Sequence, residues 1–186
     1  MVKDIRFKFM PYYDDMDAED YHNFDLWGKL DILIDGVSFF NNYNYPENGG
    51  PLRMTKEGFV GQLATFLAEL PEVPQRLLEE ETVVVKDDST SKCLVFSLRE
   101  NIVSFAICEY ESTVPPWQKG IYYDGVGVSH SEKIPQTDKN IIEIIQFNQG
   151  LKNGLQNFIR ELIERYPSII KDESFINIRN TVVSIN

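Results

Sequence analysis

Three observations on this sequence predict an α+β fold, an antiparallel sheet with two main helices packed on it. Segments of alternating apolar and polar residues come in groups, joined by turns too short to hold a crossover helix. Two longer segments with helical spacing of apolar residues separate those groups. The resulting order of strands, helix, strands, helix suits an antiparallel sheet with segregated helices, not a doubly wound parallel sheet. The length of 186 residues is read as one domain over 1–186. Such a chain buries roughly 70% of its unfolded surface, so it needs no disulfide or metal staple. At 42% hydrophobic and 25% charged residues, the composition excludes a disordered chain.

The first strand is placed at residues 4–10, where Ile5, Phe7 and Phe9 alternate with Arg6 and Lys8. Asp14-Asp15-Met16-Asp17-Ala18-Glu19-Asp20 has no hydrophobic period and reads as an exposed acidic loop. A hairpin follows over 30–40, with Asp35-Gly36 at its tip, because a two-residue turn of this kind needs positive φ at both central residues. That turn opposes Ile34 to Val37 and Ile32 to Phe39 on one face, and turns Leu33 and Ser38 the other way. Residues 41–51 form a loop rich in Asn, Tyr and Gly.

A helix is expected from Lys56 to Leu70, capped by Thr55 and stapled by Met54 onto Phe59. Its stripe is Phe59, Val60, Leu63, Phe66, Leu67 and Leu70. Pro71 and Pro74 end it and start a short helical turn through Leu77 and Leu78.

Strands return at 82–85, 92–98 and 102–110. Opposing Arg99 to Ile102 pairs Leu98 with Val103, Phe96 with Phe105 and Leu94 with Ile107, leaving Cys93 opposite Cys108 on the other face. A slip of one residue would set Leu and Phe against Ser and Ala, so this register is preferred. Pro115-Pro116-Trp117 interrupts the sheet, and 121–129 resumes it, with Gly125 and Gly127 marking a bulge or a close backbone approach. Residues 141–147 are read as a strand for their β-branched side chains, although 141, 144, 145 and 148 also fit a helix. A second helix runs from Asn148 as cap to Tyr166, before Pro167. The tail, 175–185, is expected to add a strand or an extended arm.

Chemical motifs are sparse. Gly125-Val126-Gly127-Val128-Ser129-His130 opens like a dinucleotide fingerprint, but His130 stands where the third glycine belongs and no helical pattern follows at once. A glycine-containing strand is the simpler reading. Ser129 lacks the glycine two residues on that a nucleophile elbow needs. His22 and His130 have no His or Cys at metal-ligand spacing. Asp15, Asp17 and Glu19 alternate as early calcium ligands do, yet Asp20 replaces the turn glycine and Leu26 the closing glutamate. These patterns imply no cofactor, no catalytic group and no metal. Cys93 and Cys108 are read as reduced, buried small hydrophobes, because directly opposed strand positions make strained bridges.

Charge narrows the partners. The net charge is −11, from 18 basic and 29 acidic residues. Spread over roughly 9,000 Å² of expected surface, it repels phosphate backbones and anionic lipid and suits a basic protein. No apolar run approaches the ~20 residues of a membrane span, and the amino terminus has no signal-peptide core. Both observations predict a cytoplasmic chain. The expected binding face uses Asp14, Asp15, Asp17, Glu19 and Asp20, with Tyr43, Tyr45 and Trp117 as aromatic anchors. Clustered carboxylates speed encounter with a basic surface, and aromatic side chains bury area at low entropy cost.

The segment Trp27-Gly28-Lys29-Leu30-Asp31-Ile32-Leu33-Ile34-Asp35-Gly36-Val37-Ser38-Phe39-Phe40 is similar to the strand, Asp/Asn-Gly turn and strand that open several families of bacterial toxin-system immunity proteins. The closing helix segment Phe158-Ile159-Arg160-Glu161-Leu162-Ile163 is similar as well, and together the likeness covers about a third of the chain. The resemblance implies a non-enzymatic inhibitor that masks a toxin's active site, often that of a basic nuclease. It carries over no binding residue. The rival expectation is a small-molecule-binding protein or hydrolase using carboxylates in a pocket beside the sheet.

Overall fold

Strand β1 (Ile5–Pro11) opens a computed structural model that describes residues 3–15, 26–41, 54–55, 58–86, 92–109, 120–131 and 133–185. It pairs antiparallel with β2 (Trp27–Ile34), Ile5 opposite Ile34 and Pro11 opposite Gly28. Ile5, Phe7 and Phe9 are buried, while Arg6 and Lys8 face solvent. Two short partners share the other edge of β2. Its last residues pair with β3 (Val37–Ser38), and Trp27 to Leu30 pair with β5 (Gly58–Gln62), which in turn pairs with β4 (Met54–Thr55). The expected turn joins β2 to β3, with φ of 52° at Asp35 and 79° at Gly36. Ile32, Ile34 and Phe39 are buried as the hairpin pattern requires, but Val37 is half exposed at the tip.

The helix expected from residue 56 starts only at Leu63, as α1 (Leu63–Glu69). Its supposed first turns are β5. Gly58 and Gly61 weaken a helix there, and the open edge of β2 offers the backbone a ladder instead. Gly58 lies at φ 141°, and a Cβ on it would come within 2.8 Å of the Leu30 carbonyl oxygen. Met54 and Phe59 do oppose each other, as cross-strand partners and not as a staple, and Thr55 opposes Gly58 instead of capping a helix. The two prolines follow as expected, in a 3-10 turn (Leu70–Glu72) and the short α2 (Val73–Arg76).

A second antiparallel sheet, not a continuation of the first, holds β6 (Thr82–Lys86), β7 (Lys92–Arg99), β8 (Ile102–Glu109), β9 (Gly120–Tyr123) and β10 (Val128–Ser131) in the order β10-β9-β8-β7-β6. The β7–β8 register is the expected one from Arg99 opposite Ile102 to Cys93 opposite Cys108. Residues 121–129 form no single strand. The chain reverses between β9 and β10, where the Asp124 carboxylate accepts the N–H of Val126 at 2.9 Å and of Gly127 at 3.0 Å. Such an Asx turn favours reversal over a bulge.

Strand β11 (Ile141–Glu143) pairs with Ser104 to Ile102 and then stops, because Ile102 is the first residue of β8. With no partner left, the expected strand over 144–147 becomes the start of α3 (Ile144–Arg165), four residues before the expected cap Asn148. The tail is also helical, as α4 (Glu173–Ser184), not a strand or arm. Asp172 caps it by accepting the Phe175 N–H at 2.8 Å, and Phe175, Ile178 and Val182 bury one helical face.

One contiguous apolar core collects the inner faces of both sheets and all the longer helices. A chain of rings crosses it, from Phe7 to Phe147 at 5.8 Å, to Phe96 at 5.5 Å, to Phe105 at 6.5 Å and to Phe39 at 4.9 Å. Each such ring contributes roughly 1.5–3 kcal/mol by burial. Lys3 adds a polar tie, its ammonium donating to the carbonyls of Asp138 and Ile141. Gly150 and Gly154 lie against the carbonyl oxygens of Ile5 and Phe7, where a Cβ would collide. These carbonyls point away from β2, since Asp4 and not Ile5 bonds the turn residue Asp35. Helix α3 therefore lies along the outer edge of β1.

Candidate groove on the outer face of the second sheet

The second sheet is covered on both faces. Outward from β7 and β8 point Cys93, Val95, Ser97, Ser104, Ala106 and Cys108, all small and nearly all buried. Cys93, Val95, Ala106, Cys108 and Tyr122 form a second apolar cluster, with Val84 and Ile134 packed on it. A solvated sheet face would carry long polar side chains; this row is what a strand buried on both sides carries.

Beside that cluster opens a groove of about 1020 Å³. Thr82, Val84 and Ser97 line it from the sheet. Arg76, Glu80 and Glu81 line it from the end of α2, and Lys133, Ile134 and Gln136 from the segment after β10. That last segment is fixed by Asn140, which is fully buried. The Asn140 side chain accepts the Thr137 N–H at 2.7 Å and donates to the Pro135 carbonyl at 2.5 Å, while the Asn140 carbonyl takes the Phe105 N–H. Gln136 is thereby held to donate to the Ser104 hydroxyl at 2.8 Å. Small side chains on the sheet leave the space, and a loop pinned by one buried amide gives it a wall.

Charged side chains on the groove are partly paired with one another. Arg76 and Glu80 form a two-point ion pair of 2.7 and 3.2 Å, one helical turn apart. That pairing holds the Glu80 carboxyl below its usual range and raises Arg76. The Cys93 thiol is pushed up by its hydrogen bond with Cys108 and by burial, and burial pushes the Tyr122 phenol up. Both therefore stay protonated at neutral pH. Both cysteines are free and buried, as expected. Arg99 and Lys133 are exposed at the rim and form no ion pair among the described residues.

Outside the groove, the Asp31 carboxyl is buried on the outer face of the first sheet. It accepts the Ser38 hydroxyl at 2.7 Å and sits opposite Lys8, yet burial dominates and raises it. A shallow depression of about 210 Å³ lies between α3 and α4, lined by Ile159, Ile163, Val182 and Val183 among others.

Of the expected binding residues, Asp14 is exposed in a 3-10 turn, Tyr13–Asp15, which also contains Asp15. Tyr13 anchors this turn, with the Arg165 guanidinium 3.8 Å above its ring. Asp17, Glu19, Asp20, Tyr43, Tyr45 and Trp117 lie outside the described residues. Among the described residues, no group of three or more His, Cys, Asp or Glu could hold a metal ion, and no helix is long and apolar enough to cross a membrane. The rival expectation includes a pocket beside the sheet but none of the residues that line this groove, although the small, uncharged outward row of β7 and β8 is the sequence signal that points to it. No family model, curated protein or solved structure matches the chain.

Proposed function

We propose that this chain is a non-enzymatic protein-binding protein of the cytoplasm, an immunity-type inhibitor of a basic bacterial toxin. The observation that carries this reading is the charge, −11 on a folded surface of 10072 Å². Such a surface attracts a cationic nuclease and competes for the site its phosphate substrate would use. The Tyr13–Arg165 stacking supports it, because it gives the acidic stretch that begins at Asp14 a fixed point of departure. The rival hydrolase reading gains a pocket beside the sheet, but its Glu80 carboxylate is tied up in the ion pair with Arg76.

The test is association kinetics against a panel of basic bacterial nuclease domains, at low and raised salt. A partner should bind with an on-rate that salt depresses. Changing Asp14, Asp15, Asp17, Glu19 and Asp20 to Asn or Gln should slow association about fivefold or more and leave the fold intact. A partner that binds the variant equally fast at low salt would remove this face. Turnover of a small substrate by the purified chain would remove the inhibitor reading.

A further inference from the structure

We infer that the groove on the outer face of the second sheet binds an organic anion with an apolar body. Three cationic and two anionic side chains line it, a net +1 in a chain whose total is −11. Arg76 and Glu80 neutralise each other. Arg99 and Lys133 are left as cations without an ion pair among the described residues, although 29 carboxylates are available in the chain. Held at the rim of a cavity, they define a place where an anion is favoured locally against the sign of the whole protein.

The rest of the lining fits an apolar body. Val84, Leu98, Ile134 and the Tyr122 ring offer carbon surface, and Thr82, Ser97 and Gln136 offer a few polar atoms among them. A volume of about 1020 Å³ takes a ligand of several rings or a chain of comparable bulk. Polar and apolar surface share the lining about equally, and placed polar groups are what fix a ligand's orientation in a site. The carboxylate or sulfonate would lie between Arg99 and Lys133, and the apolar part against the sheet. Glu81, from the segment after α2, would repel the anionic end and so set the ligand's direction. None of the groove's lining residues belongs to the expected acidic face of the proposed inhibitor, so either can fail alone.

The test uses the full chain, labelled with nitrogen-15, and anilinonaphthalene sulfonate as the probe. Binding should be saturable, with amide shifts centred on Thr82, Val84, Ser97 and Ile134. The double variant Arg99→Gln, Lys133→Gln should bind about tenfold more weakly, and uncharged phenylnaphthylamine should bind the native chain less well than the sulfonate. Ser97→Trp should block the groove; if that variant does not fold, the exposed double variant decides. Unchanged affinity in the double variant, equal binding of the uncharged probe, or shifts centred on the depression between α3 and α4 would each overturn the inference.

Discussion

Two turns in this molecule are built on the same dipeptide and had opposite fates in the sequence. Asp35-Gly36 closes a hairpin whose flanking residues alternate cleanly, and it was legible at once. Asp124-Gly125 also reverses the chain, but through a wider turn that ends at Gly127, and the sequence pattern around it suggests a single strand. The difference extends to packing. A Cβ on Gly36 would meet nothing within 4 Å, whereas one on Gly125 would meet the Phe39 ring at 2.7 Å. Both glycines lie at positive φ, 79° and 87°. Both turns place a glycine at positive φ; only the second is pressed against the core, and against Phe39, which stands three residues past Gly36. Tyr123, just before the second turn, donates its hydroxyl to the Phe39 carbonyl at 2.9 Å. Phe39 therefore couples them.

The largest effect should come from that coupling residue. Phe39→Ala removes a ring packed on Phe40, Phe105 and Tyr123 and should cost roughly 3–5 kcal/mol in urea denaturation. A loss under about 1 kcal/mol would show that the turns do not depend on it. Gly125→Ala should follow, at about 2–4 kcal/mol, because strain at positive φ adds to crowding of Phe39. Gly36→Ala meets the same backbone strain in open space and should cost about 1–2 kcal/mol. Equal losses at the two glycines would erase the distinction between a packed turn and a free one. Tyr123→Phe, which deletes the hydroxyl and keeps the ring, should cost about 1 kcal/mol.

Asp31 gives the smallest effect and sharpens the first turn through Ser38. Its folded pKa lies above the ordinary 3.8, chiefly by burial. Its contribution to stability is fully present below that ordinary value and is lost as pH rises through the raised one. Asp31→Asn should therefore melt slightly higher than the native chain at pH 7, and the gap should close toward pH 3.5. A variant less stable at pH 7 would mean that the Ser38 hydrogen bond outweighs the cost of burying the charge.

What the sequence revealed depended on how local the deciding interaction was. The β7–β8 hairpin was legible to the residue, because apolar alternation on both strands and a short turn leave one acceptable register. The stretch 58–62 suggests a helix in sequence because Phe59, Val60 and Leu63 fit one, and the edge of β2 that captures it as a strand lies some 30 residues earlier. The helix α4 is legible in its own segment. Phe175, Ile178 and Val182 stand at helical spacing behind a capping Asp172, a pattern that marks a helix and not an extended arm. The groove draws its walls from 76–81 and from 133–136, which no reading of either segment alone would bring together. The acidic residues from Asp17 to Asp20 stay an inference from charge.

Two missing methyl groups have a consequence beyond the packing of one helix. Gly150 and Gly154 let α3 lie so close to β1 that the carbonyls of Ile5 and Phe7 face helix and not water. An exposed strand edge is a template on which a second chain can add its own strand, the first step of aggregation. An alanine at either glycine would push the helix outward and reopen that row to neighbours. At this rim, solubility at high concentration rests on the absence of two Cβ atoms as well as on the net charge.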